Sequence, residues 1–120
     1  MPVQKTEKIW HNGKLINWDE ATVHVSAHVI SYGSALFEGI RCYSTPAGPA
    51  IFRARKHAER LLELAEVFGF RSLPWTAKEL VAAFCDTVRA NGFGECYIRP
   101  LIYLTDGGWN FNVDGGKPLT

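Results

Sequence analysis

Apolar residues recur along the chain with a period of two in some stretches and with a helical period in others, and the changes of period locate the elements. Residues 8–18 hold two short apolar runs around Asn12-Gly13, a pair suited to a type I′ turn because both central positions need φ > 0, so a hairpin is expected there. Residues 22–25 read as a short alternating strand. Ile40 and Cys42 then alternate with Arg41 and Tyr43, and a strand over residues 50–52 follows the turn formers Ser44-Thr45-Pro46-Ala47-Gly48-Pro49, which predicts a second hairpin. Ala58, Leu61, Leu62, Ala65 and Phe68 make a helical stripe within residues 54–68, with Glu59 and Glu63 spaced for one solvent-facing side. Gly69 fits a left-handed position after that helix, and Phe70 the hydrophobic contact beyond it. Thr76-Ala77-Lys78-Glu79 matches a capping box and predicts a second helix to about residue 90, buried through Leu80, Val81, Phe84, Cys85 and Val88 and closed by Asn91-Gly92. Residues 95–104 form the longest predicted strand, with Cys96, Ile98, Ile102 and Leu104 on one face and Tyr97, Arg99, Leu101 and Tyr103 on the other. Pro100 has no N–H for a ladder, so the strand should lie at an edge or be bulged there. Together these elements predict an α+β fold, one mostly antiparallel sheet with two helices on one face.

Residues 31–43 read as a turn running into a strand. Gly33 and Gly39 mark two points where the main chain can take positive φ or approach another surface without a Cβ in the way, and Ser34 to Glu38 can make one helical turn between them. Periodicity by itself favours an ordinary turn before an edge strand; close passage of a ligand is the alternative.

At 120 residues the chain can form one domain with a modest core. The net charge is +1 with both signs dispersed, which argues against nucleic acid as a partner. No apolar run approaches the roughly 20 residues that span a bilayer, and Met1-Pro2-Val3-Gln4-Lys5 lacks the apolar core of a signal peptide, so a cytoplasmic protein without a membrane partner is expected. Cys42, Cys85 and Cys96 lie in apolar runs without a C-x-x-C pair, which suits reduced, buried thiols. His24 and His28 are four apart, but their β-branched neighbours argue for a strand or turn and no third ligand is in view, so no metal site is expected.

The order of residues carries more than the periodicity. Tyr32-Gly33, then Phe37-Glu38-Gly39-Ile40-Arg41, then His57-Ala58-Glu59-Arg60-Leu61 on a helix resemble the amino-terminal domain of the class IV pyridoxal-phosphate aminotransferases, and most of all the branched-chain amino-acid aminotransferases. Ile9-Trp10-His11-Asn12-Gly13, Val23-His24-Val25, Phe52-Arg53 and Tyr97-Ile98-Arg99-Pro100-Leu101 extend the resemblance from Ile9 to about Asp106. It implies the small domain of a two-domain enzyme, with residues 1–120 ending near the interdomain linker. It further implies pyridoxal 5′-phosphate in the full-length parent, amino acids and 2-oxo acids as substrates, and as partners the chain's own carboxy-terminal domain and a second subunit, in a homodimer or higher oligomer. By its helical pattern Arg60 would be a surface arginine paired with Glu59 or Glu63; the resemblance places it on the cofactor phosphate instead. By the same resemblance Phe37, Gly39, Tyr97 and Arg99 line the substrate pocket and Tyr32 reaches into that of the neighbouring subunit. The loop Gly107-Gly108-Trp109-Asn110-Phe111, where many branched-chain enzymes have smaller residues, adds Phe111 to the substrate site. Glu38 and Arg41 are expected to form a structural ion pair.

None of Lys5, Lys8, Lys14, Lys56, Lys78 and Lys117 matches the lysine that carries the cofactor in this family, which lies downstream in the carboxy-terminal domain. The expected reading is therefore an inactive part of a branched-chain transaminase. D-amino-acid aminotransferase, aminodeoxychorismate lyase and a non-catalytic binding module are the alternatives.

Overall fold

A computed structural model describes residues 3–70, 73–105 and 118–119. Strands β1 (Lys8–His11) and β2 (Lys14–Asn17) form the expected hairpin, with Ile9 opposite Ile16 and with φ of 49° at Asn12 and 95° at Gly13. No strand forms over residues 22–25. The chain turns there, the Ala27 N–H donating to the His24 carbonyl at 2.9 Å, and Val25 stays exposed: alternation without a partner strand has nothing to bury.

Helix α1 (His28–Tyr32) is stopped by Gly33, whose φ is 62° and whose N–H donates to the Val29 carbonyl at 2.8 Å. The helical turn expected over residues 34–38 is absent, because β3 (Ala35–Phe37) is drawn out by pairing with β7 (Leu101–Leu104). Strands β4 (Ile40–Thr45) and β5 (Gly48–Ile51) run further than predicted and leave only Pro46-Ala47 as the turn. Helix α2 (Ala54–Val67) closes as expected: the Gly69 N–H donates to the Glu66 carbonyl at 3.0 Å, the Phe70 N–H to Ala65 at 2.8 Å, and the Phe70 ring is buried. Phe68, counted in the apolar stripe, is exposed, and Phe70 takes the core position that the turn opens beyond it. Helix α3 (Ala77–Asn91) carries the predicted capping box, with Thr76 Oγ1 accepting from the Glu79 N–H at 3.2 Å and Glu79 Oε2 from the Thr76 N–H at 2.7 Å.

The long strand expected at residues 95–104 is divided into β6 (Cys96–Ile98) and β7, and the one expected sheet into three: β1-β2, β3-β7-β8 with β8 at Pro118–Leu119, and β5-β4-β6. The division is local. Phe37 faces Leu101 and Ile40 faces Ile98, so the register is the same on both sides of the break and puts Glu38 opposite Pro100 and Gly39 opposite Arg99. The Glu38 N–H still donates to the Pro100 carbonyl at 3.2 Å, but Pro100 has no N–H to return, and the ladder lapses there. Burial alternates unbroken across the seam: Leu36, Glu38, Ile40 and Cys42 point inward, and Phe37, Gly39, Arg41 and Tyr43 outward.

Helices α2 and α3 cover the inward face, and α2 joins two core clusters. Leu61 and Ala65 pack with Leu36, Phe70, Ile102 and Leu104, and Ala58 packs with Ile40, Leu80 and Phe84. The three cysteines are free, with Cys42 buried and Cys85 and Cys96 half-buried. No helix among the described residues is long and apolar enough to cross a membrane.

Candidate functional site

The seam between the two larger sheets carries the candidate chemistry on both of its faces. On the outward face, β3 delivers Phe37, the link to β4 delivers Gly39, β6 delivers Tyr97, and Arg99 stands between β6 and β7. The Arg99 guanidinium lies 4.6 Å from the Phe37 ring centroid and 5.4 Å from that of Tyr97, and its Nη2 donates to the Tyr97 hydroxyl at 3.3 Å. No carboxylate among the described residues pairs with it. A Cβ on Gly39 would come within 2.6 Å of the Tyr97 hydroxyl oxygen, so this glycine is required by close approach, whereas Gly33 is required by its positive φ. The arrangement is an apolar wall with one cation at its rim, able to receive an alkyl group or an anion.

On the inward face Glu38 is buried between Leu36 and Ile40. Its expected pairing with Arg41 does not occur: alternation turns Arg41 outward, and Glu38 meets α2 instead. Arg60 donates from Nε to Oε1 at 2.5 Å and from Nη2 to Oε2 at 2.6 Å, and His57 Nδ1 stands 3.0 Å from Oε2. The Arg60 guanidinium is the first cause that holds the Glu38 carboxyl below its ordinary value; burial opposes this and His57 adds to it. The same bond raises Arg60 further. Glu59, a partner expected for Arg60 by its helical pattern, pairs with Arg55 and Lys56.

Tyr32 lies on α1, its ring 4.6 Å from that of the buried His28, whose Nδ1 lies 2.8 Å from Ser34 Oγ. Phe111 falls outside the described residues. Among the described residues no group of three metal-ligating side chains occurs at His24, at His28 or elsewhere.

No family model matches the chain. Individual proteins do. It is 40% identical over 116 residues to the branched-chain-amino-acid aminotransferase of Escherichia coli (strain K12), a match covering 97% of this chain and 37% of that relative. The crystal structure of the Escherichia coli enzyme superposes with a TM-score of 0.90 at 40% identity, over 96% of this chain and 38% of that one. That of the branched-chain aminotransferase from Thermobaculum terrenum, in its PLP-bound holo-form, gives 0.84 at 35% identity, over 96% and 38%. Over nearly its whole length the chain is homologous to branched-chain aminotransferases.

It spans less than two-fifths of the length of those aminotransferases, with which it shares the α+β architecture. These relatives do not favour a D-amino-acid aminotransferase or an aminodeoxychorismate lyase. Four of the residues singled out as a branched-chain aminotransferase substrate wall, Phe37, Gly39, Tyr97 and Arg99, are brought together. Sequence reasoning missed the role of Glu38 and gave His57 none. The signal was present: His57 and Arg60 are three apart on one helix, a spacing at which two donors can meet one acceptor.

Proposed function

We propose that this chain is the amino-terminal small domain of a pyridoxal-phosphate-dependent branched-chain aminotransferase, which moves an amino group between leucine, isoleucine or valine and 2-oxoglutarate. The observation that carries the reading is Arg99, a cation held over two aromatic rings with no carboxylate of its own among the described residues. Such a site suits a pocket that must take both an alkyl side chain and the distal carboxylate of glutamate. Phe37, Gly39 and Tyr97 form its wall, Tyr32 serves the pocket of the neighbouring subunit, and Phe111 belongs to the same substrate site. The enzyme works in the cytoplasm as a homodimer or higher oligomer.

Arg60 suits the cofactor phosphate. Its side chain is 64% exposed, two of its nitrogens are taken by Glu38, and Nη1 has no partner among the described residues. When bound, pyridoxal phosphate supplies the electron sink that lets the amino group leave one substrate and join the next. This chain's share is to hold the phosphate through Arg60 and to orient the substrate through Arg99. The lysine that moves the proton belongs to the carboxy-terminal domain, so the chain alone should not transaminate.

Arg99→Ala in the full-length enzyme tests the reading through single-turnover measurement of each half-reaction. The apparent constant for 2-oxoglutarate should rise at least about tenfold, the loss of a charge-assisted hydrogen bond, while that for leucine changes little. Equal losses for both substrates would show that Arg99 supports the fold or the α-carboxylate common to both.

A further inference from the structure

A carboxylate in the row Leu36, Glu38, Ile40, Cys42 is out of place on polarity alone, since the other three positions are apolar and buried. Glu38 is itself only 2% exposed. Taking such a charge out of water is unfavourable unless donors surround it, and both side-chain donors come from one face of α2. They do not use the carboxylate equally. Arg60 engages both oxygens through Nε and Nη2, which fixes the plane of the guanidinium as a single bond could not. His57 Nδ1 meets Oε2 as well, and the backbone bond to Pro100 ties the residue to the opposite strand. The pair is lopsided in exposure: Glu38 is inside, while the Arg60 side chain is 64% exposed and turns the edge that bears Nη1 away from the carboxylate.

We propose that Glu38 is a positioning residue for the cofactor phosphate: its buried carboxylate locks the Arg60 guanidinium so that Nη1 is presented to a phosphate, and His57 locks the carboxylate. This deepens the reading of Arg60 given above and rests on it. An unheld arginine must give up its rotamer freedom when it binds, whereas one already clamped by a carboxylate has lost most of it beforehand. The negative charge of Glu38 by itself would weaken the attraction for a phosphate, so orientation and charge make opposite predictions.

The test uses the apo form of the full-length enzyme and two probes, pyridoxal 5′-phosphate and pyridoxal, which lacks the phosphate. Dissociation constants are measured for the wild type, Glu38→Gln, Arg60→Ala and the double variant. Glu38→Gln should weaken pyridoxal phosphate about tenfold, leave pyridoxal unchanged, and add nothing once Arg60 is alanine. Equal weakening of both probes would reduce Glu38 to a structural residue, and tighter binding of pyridoxal phosphate would show that charge outweighs orientation; either overturns the proposal. If Arg60→Ala lowers affinity for pyridoxal phosphate alone but Glu38→Gln does not, only the present inference fails. If Arg60→Ala does not separate the two probes, the assignment of Arg60 fails and this inference with it. Should Glu38→Gln not fold, Glu38→Asp, which keeps the charge but shortens its reach, is expected to give the same selective loss, and its absence overturns the proposal.

Discussion

Gly39 shows how a single position can be set by space. Its φ lies outside the left-handed region, so an alanine there meets no backbone strain, only the Tyr97 hydroxyl at 2.6 Å. Because Tyr97 is exposed and can swing, Gly39→Ala should change stability by less than about 1 kcal/mol while displacing one wall of the pocket. Replacing Tyr97 by Phe removes the clashing oxygen and leaves ring carbons at 3.3 Å, so the Gly39→Ala/Tyr97→Phe pair should recover part of the leucine half-reaction lost by Gly39→Ala. Strictly additive losses would show that the contact is not what matters. Glu38 makes a prediction about pH. Its carboxyl is held below its ordinary value of 4.5, chiefly by Arg60, so its contribution to stability is complete above that pH and is lost as the pH falls through the folded value. Urea midpoints of the chain followed downward from pH 4.5 should drop less steeply for Glu38→Gln than for the wild type, beyond the drop that other carboxylates give to both. The conformational demand of Gly33 was legible in the sequence, but the partner of Glu38 was not. Parity sends Arg41 to the other face of the strand, and the true partner lies 22 residues away on α2, a distance that local pattern does not bridge.

Elements whose signals are self-contained were read correctly. Asn12-Gly13 sets its own hairpin, Gly69-Phe70 ends α2, and Thr76 with Glu79 starts α3, each through bonds within a few residues. Thr76→Ala should cost about 1 kcal/mol, measured as a shift in the urea midpoint without a change in slope. A neutral result would mean that water satisfies the first turn of α3 equally well. Elements defined by a partner were read less well. Residues 22–25 alternate like a strand and find nothing to pair with, and residues 34–38 were open to a helical turn until β7 drew β3 straight. The division between β6 and β7 was hidden for a third reason: side-chain alternation continues through Arg99-Pro100, so sequence pattern sees one strand while the hydrogen bonds see two.

Over the whole molecule, α2 is the member that joins the two core clusters, with Ala58 in one, Leu61 and Ala65 in the other, and His57 and Arg60 on the buried carboxylate between them. The general architecture followed from period, and the resemblance from the order of motifs; the division into two larger sheets at one seam, with the β1-β2 hairpin as a third sheet, depends on where the ladder lapses. That seam has a consequence for the counting of residues. From Leu36 to Cys42, odd positions face outward and even ones inward, so the stretch behaves as a parity code in which Phe37 and Gly39 must be odd and Glu38 even. One residue gained or lost there would exchange the two sets, burying an aromatic wall and stranding a carboxylate, whereas the Pro46-Ala47 turn lies outside the code and can change length freely. Relatives that keep both Glu38 and Arg60 should therefore differ in length between β4 and β5 but never between Leu36 and Cys42.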